Sequence, residues 1–240
     1  MFDQDFVPRL KDHLLGRPLD KDYDGDETVF SDADRNTVRL VDNRIYSAKV
    51  LRVNYTTYDV QRDQDSMNPR TDHCDMMVQS PETGPNAHPY WYARVLGVFH
   101  ARVLHTGPAA RNPSVQHVEF LWVRWFGTVR GHRYGFKAAR LPKISFIEEE
   151  DPLAFGFLDP SLVIRGCHLI PAFFDGRTSE LLMTPHSAAR PPGESDDWVA
   201  FYVNLYVLKF RLPVTPLKFI IVSWTAICLC ATLGEAWAIV

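Results

Sequence analysis

Apolar and polar residues alternate most sharply across residues 89–126, with the period of two that marks β-strands. In residues 90–105 one row reads Trp91, Ala93, Val95, Gly97, Phe99, Ala101, Val103 and is wholly apolar, so it is expected to face a core. The other row, Tyr90, Tyr92, Arg94, Leu96, Val98, His100, Arg102, is amphipathic and is expected to look outward. Gly97 inside the apolar row signals a bend or a close backbone approach, as a tightly curled sheet needs. In the next strand Leu121, Val123 and Trp125 alternate with Phe120, Trp122 and Arg124.

Elsewhere the pattern is shorter-ranged. Residues 6–15 place Phe6, Leu10 and Leu14 on one helical stripe, with Pro8 in the first turn. Residues 37–40 and 45–60 read as strands joined by a turn at Asp42-Asn43. Residues 61–71, polar and carrying Asn-Pro, read as a loop, and 75–79 as a short strand. Further strands are expected at 144–147, 162–170 and 198–207, with a Pro-, Ser- and Gly-rich linker at 185–197. The fold class is therefore mainly β, α+β at the margins. Five stretches follow: an acidic helix and loop (1–36), a β-barrel domain (37–184), the linker (185–197), a strand with a basic, Pro-containing segment (198–218) and an apolar tail (219–240).

Six Trp, nine Tyr and fifteen Phe in 240 residues exclude wholesale disorder. A net charge of −3 conceals segregation: residues 1–36 hold ten Asp/Glu against five Lys/Arg. From Pro89 to Ile147 nine Lys/Arg meet a single acid, Glu119, and Glu148-Glu149-Glu150-Asp151 follows. Such asymmetry points either to an anionic partner for the middle or to neutralisation by the acidic ends. The opening residues are charged and lack a secretory pattern, and Cys74, Cys167, Cys228 and Cys230 form no CxxC pair. Free thiols in a reducing, intracellular compartment are expected. The sequon Asn54-Tyr55-Thr56 lies inside a strand pattern without secretory context.

Signals for metal or catalysis are thin. Asp20, Asp22, Asp24 and Gly25 open like a calcium loop, but Glu27 and Ser31 stand where an apolar residue and a bidentate Glu are required, so a solvated acidic turn is expected. His73-Cys74 and Cys167-His168 could converge as zinc ligands, yet adjacent strand residues point to opposite faces. Asp59, Asp159 and Asp175 are scattered acids, and no nucleophile elbow, phosphate loop, dinucleotide fingerprint or HExxH is present. No catalytic residue, cofactor or metal is assigned.

Three motifs in order carry a resemblance: Tyr92-Ala93-Arg94-Val95, Val123-Arg124-Trp125-Phe126 and Ile164-Arg165-Gly166-Cys167-His168-Leu169. Their succession over roughly residues 45–175 resembles bromo-adjacent-homology (BAH) domains, implying an SH3-like barrel used in chromatin and protein recognition. Longer stretches are similar to a downstream region of Plavaka-type transposon proteins of mushroom-forming fungi. They are Phe6-Val7-Pro8-Arg9-Leu10-Lys11-Asp12-His13-Leu14, Phe30-Ser31-Asp32-Ala33-Asp34-Arg35-Asn36-Thr37, Val53-Asn54-Tyr55-Thr56-Thr57-Tyr58-Asp59, Pro89-Tyr90-Trp91-Tyr92-Ala93-Arg94-Val95 and His168-Leu169-Ile170-Pro171-Ala172-Phe173. This resemblance implies a transposon origin and a nuclear location. It departs near Val207, where such regions continue into a Gly-rich, His-containing end.

The basic, aromatic face is the candidate site. Tyr92, Arg94, Arg102, Trp122 and Arg124, with Arg130, Arg133, Lys137 and Arg140 in the following segment, suit phosphate contacts and base stacking, or an acidic peptide. The alternative is that these arginines pair with the chain's own acids and the aromatics fill a core. Residues 219–240 are almost unbroken apolar sequence, and about 20 such residues can span a bilayer as a helix. Lys209, Arg211 and Lys218 precede them, as a cytoplasmic tail-anchored body requires. Translated intron or frame-shifted sequence is the competing origin of that tail.

Overall fold

A computed structural model describes residues 6–17, 28–56, 62–84, 87–107, 110, 112–135, 138–185, 187–191, 193–204 and 236–238. Helix α1 (Phe6–Gly16) forms where Phe6, Leu10 and Leu14 recur on one face, and Pro8 falls in the first turn, where its missing N–H has no intrahelical partner. All three apolar residues are buried against the sheet. Leu10 is fully enclosed, which contributes about 1.5–3 kcal/mol. A single turn, α2 (Asp32–Arg35), opens with a capping box between Ser31 and Asp34. Arg35 ties it back to α1 through Asp12, at 2.8 and 2.7 Å.

The strands are β1 (Val38–Ala48), β2 (Leu51–Thr56), β3 (Arg62–Met67), β4 (Asp75–Gln79), β5 (Tyr90–His105), β6 (Gln116–Thr128), β7 (Lys143–Phe146), β8 (Phe155–Leu158), β9 (Val163–Gly166), β10 (Leu169–Pro171), β11 (Arg177–Thr178), β12 (Asp197–Trp198), β13 (Phe201–Val203) and β14 (Ala236–Ala238). β5 and β6 pair antiparallel and form the spine. The outer edge of each is used twice: β4 and then β1 lie along β5, and β8 and then β7 along β6. The sheet runs on from β7 to β13 and β10, and from β4 to β9. Only Cys167 and His168 separate β9 from β10, so the two ends of the sheet are drawn together and it curls strongly into an antiparallel half-barrel.

Gly97 marks the decisive local feature. The β5–β6 register slips between Val95 and Gly97, leaving Leu96 unpaired, so the alternation of β5 changes sides there. Ala93, Val95 and Val98 therefore share one face with Leu121, Val123 and Trp125. Phe99, Ala101 and Val103 pack on the opposite face with Phe6, Leu10 and Phe120. The single apolar row expected from the sequence is thus two half-rows on opposite faces. A Cβ on Gly97 would stand 2.3 Å from the ring of Phe99, which explains why the slip occurs at a glycine.

Several sequence expectations are corrected. Asp42-Asn43 is not a turn between two strands. Both residues take left-handed φ, 61° and 48°, and form a bulge within β1, whose flanks pair with the same strand β5. Residues 61–71 contain β3, hidden in the sequence because its side chains are polar, Asp63 and Asp65 among them. The single strand expected at 162–170 is two, β9 and β10. The 185–197 stretch is no free linker, since Arg190 and Asp197 are buried in it. The apolar tail and residues 205–218 lie outside the described residues, except that Ala236–Ala238 is extended and pairs with β1 rather than forming helix. Among the described residues no helix is long and apolar enough to cross a membrane.

Candidate nucleic-acid interface

Two of the arginines that the alternation assigns to an outward face, Arg94 and Arg124, are enclosed. Arg124 is fully buried, with Nη1 and Nη2 donating to Asp197 at 3.1 and 3.3 Å and Nη2 also to the Leu181 carbonyl at 3.2 Å. Its guanidinium lies 3.7 Å from the centre of the Phe146 ring. Arg190 reaches the same carboxylate at 3.0 and 3.2 Å. Burial lowers the Arg124 pKa, Asp197 opposes that, and the nearby Arg190 and Arg94 add to the lowering. Arg94 grips Asp75 at 2.8 and 3.0 Å among the rings of Phe126, Phe146 and Phe201. Burial works against its charge, but Asp75 outweighs it and holds the pKa above the usual arginine value. Tyr92 is buried against His88, its ring centre 5.4 Å away, with its hydroxyl unpartnered.

Trp122 is spent on the helix contact. It stacks on Phe155, meets Phe6 and Phe157 at 5.3 and 4.6 Å, and is covered by Arg9. Tyr92 and Arg124 are thus buried, and Arg94 and Trp122 are half-buried against their neighbours. The physical reason is that this half of the spine is covered on both sides, by the β2–β3 hairpin and by residues 144–203. A doubly covered sheet has no polar side for alternation to reveal.

The second group behaves differently. Arg130, Arg133 and Arg140 are exposed in the connection between β6 and β7, and Lys137 lies outside the described residues. That connection sits at the far end of β6 from Arg102, whose cross-strand partner is His117. The thirteen residues from His117 to Arg130 correspond to roughly 40 Å of strand contour. The sequence-assigned residues therefore do not form one surface.

At the other end of the spine, past the slip at Gly97, one face carries no covering element among the described residues. The side chains there come from three adjacent strands: Arg39, Arg44 and Tyr46 on β1, His100 and Arg102 on β5, and His117 and Glu119 on β6. Tyr46 stacks on His100 with ring centres 5.1 Å apart and planes 13° apart. His100 Nδ1 lies 2.9 Å from His117 Nε2, which continues the row of rings. Arg102 is 53% exposed and loosely paired with Asp42 at 3.6 Å. Arg39 and Arg44 are exposed, and no ion pair is described for either among the described residues.

Charge favours a polyanion here. Burial lowers the pKa of His100, with the charge of His117 adding to the effect. Burial raises the Glu119 pKa, while His117 and Arg17 oppose it. Of the residues chosen from sequence only Arg102 belongs to this face. Arg39, Arg44, Tyr46, His100 and His117 were missed. Correcting parity at Gly97 would have separated His100 and Arg102 from Tyr92 and Arg94, but nothing in the sequence announces the bulge in β1 that puts Arg39, Arg44 and Tyr46 beside them.

Other chemistry has less support. The His73-Cys74 and Cys167-His168 dipeptides do meet, with the Cys167 N–H donating to the Asp75 carbonyl at 2.9 Å. Both thiols are free, and burial pushes Cys74 up to about 12 and Cys167 well above its ordinary value. Among the described residues no group of three or more His, Cys, Asp or Glu side chains is placed to hold a metal. Asp159 pairs with Arg17 and Asp175 with Lys143, while Asp59 and the Asp20–Gly25 loop lie outside the described residues. No protein-family model, no curated protein and no solved structure matches the chain.

Proposed function

We propose that the chain is a non-enzymatic, transposon-derived binding module that contacts nucleic acid, in the nucleus and on chromatin, through the open face of β1, β5 and β6. One observation carries this reading: the row Tyr46–His100–His117 offers ring surfaces on a sheet, bordered by the guanidinium groups of Arg39, Arg44 and Arg102. Bases stack on exposed rings with little regard to sequence, and arginines on the same face reach the backbone phosphates. The BAH-like motif order and the transposon resemblance point the same way.

Fluorescence anisotropy of a labelled single-stranded oligonucleotide with the full-length chain tests it. Tyr46→Ala is expected to cost about 1–3 kcal/mol of binding, as loss of one stacked base does. Equal affinity for wild type, Tyr46→Ala and Arg39→Ala/Arg44→Ala would remove the face from consideration. A second reading, a protein or peptide interaction domain, is favoured by Phe173 and Phe174. Both are exposed on the short turn after β10, beside Trp198. Phe174→Asp would abolish a protein contact there and leave oligonucleotide affinity unchanged.

A further inference from the structure

We propose that His100 and His117 form a two-histidine site for a divalent transition-metal ion on the open sheet face. The two imidazoles come from neighbouring strands, so backbone pairing fixes their separation before any ion arrives. His100 Nδ1 and His117 Nε2 stand 2.9 Å apart. With Zn–N bonds of ~2.0–2.1 Å, two nitrogens sharing one ion lie about 2.9 Å apart at a right angle and about 3.3 Å at the tetrahedral angle. The observed gap is already the span of a chelating pair.

The contact as it stands is a hydrogen bond between the two rings, which a shared ion would replace. Ring centres lie 4.7 Å apart with planes 35° apart, closer than two imidazoles meeting nitrogen-to-nitrogen head-on would sit at this contact. The nitrogens therefore approach at an angle rather than head-on. Tyr46 stacks on His100 and packs against one face of that ring.

The other groups on this face define the site's limits. Glu119 is directly across from His100 in the strand register and supplies the nearest negative charge on β6. Arg102, opposite His117, is paired with Asp42 at 3.6 Å. Two imidazole donors leave at least two positions on the ion for water or another ligand. Imidazole pairs suit zinc, nickel and copper rather than magnesium or calcium. The proton shared in the ring–ring hydrogen bond moves to an outer ring nitrogen as the ion takes its place.

The test uses the full-length chain without nucleic acid, so it is independent of the binding function proposed above. Calorimetric titration with NiCl2, ZnCl2 and CuCl2 should give one ion per chain, tightest for copper. His100→Gln and His117→Gln should each weaken binding at least tenfold, while His168→Gln, on another part of the sheet, should not change it. Electron paramagnetic resonance of the copper complex should show two imidazole nitrogens in wild type and one in either variant. A wild-type chain that takes up no ion, or variants that bind as tightly as wild type while remaining folded by circular dichroism, would overturn the site. Magnesium chloride should give no signal, and an equal response to it would show a diffuse charge effect instead.

Discussion

Replacing Asp197 by alanine should be among the most damaging single changes in this protein, and replacing Arg124 by methionine one of the mildest for a fully buried charge. The arithmetic is local. Arg94, Arg124 and Arg190 share the interior with Asp75 and Asp197, three cations against two carboxylates. Asp197→Ala strips Arg124 and Arg190 of their common partner and leaves both guanidinium groups enclosed without a carboxylate. Removing one side of a buried pair costs about 3–5 kcal/mol, and here two cations are orphaned by one change. Arg124→Met instead leaves a matched Arg190–Asp197 pair, removes the surplus cation that repels Arg94 and Arg190, and keeps an apolar stem against Phe146. Its main losses are the donor to the Leu181 carbonyl and the two to Asp197, together about 1.5–4 kcal/mol before the relieved repulsion is counted. Urea unfolding followed by tryptophan fluorescence measures both. At roughly 2–4 °C per kcal/mol for a chain of this size, Asp197→Ala should lower Tm by about 6–20 °C and Arg124→Met by a few degrees. Equal destabilisation by the two variants would refute the charge accounting.

Two further outcomes follow from packing and protonation. His13 is held neutral: burial lowers its pKa to about 3, Arg17 contributes in the same direction, Asp159 opposes, and its Nε2 is enclosed without a partner. The unfolded chain, with an ordinary histidine pKa of ~6.5, binds the proton that the folded chain refuses, so stability falls as pH drops below about 6.5 and continues to fall toward about 3. Between pH 7 and pH 5 this histidine should account for about 2 kcal/mol of lost stability. His13→Leu should remove that part of the slope in urea titrations at the two pH values, leaving the smaller contribution of His88, whose pKa burial also lowers. An unchanged slope would show that His13 is accessible to protons. Gly97→Ala should cost about 1–3 kcal/mol by pressing on the Phe99 ring, and the cost should shrink in a Phe99→Leu background. Additive penalties in that double-mutant cycle would separate the glycine from the ring.

The helix, the spine and most short strands were legible because their periodicities are local and strong. The stripe Phe6, Leu10, Leu14 and the alternation of β5 and β6 are examples. The site was not legible, for two reasons tied to particular residues. The slip at Gly97 exchanges faces midway along β5, so a row read straight through assigns Arg94 and Arg102 to one side when the first is packed in the core and the second is open to solvent. Burial of a sheet on both faces is equally invisible locally: Arg124 looks like a surface residue until Asp197, far along the chain, is seen to meet it. The polar strand β3 escaped because its stabilisation comes from pairing with β2 and from Asp65 holding Arg165 and the Gly166 N–H, not from apolar alternation.

The salt dependence of oligonucleotide binding tests the proposed interface most directly. If Arg39, Arg44 and Arg102 neutralise three phosphates of a single strand, log K should fall against log salt concentration with a slope of about −2. In Arg39→Ala/Arg44→Ala/Arg102→Ala the slope should collapse toward zero, while Arg130→Ala/Arg133→Ala, at the far end of β6, should keep it. A slope near −2 that survives the triple substitution, or is lost only with Arg130 and Arg133, would contradict placement of the interface on the face of Tyr46, His100 and His117.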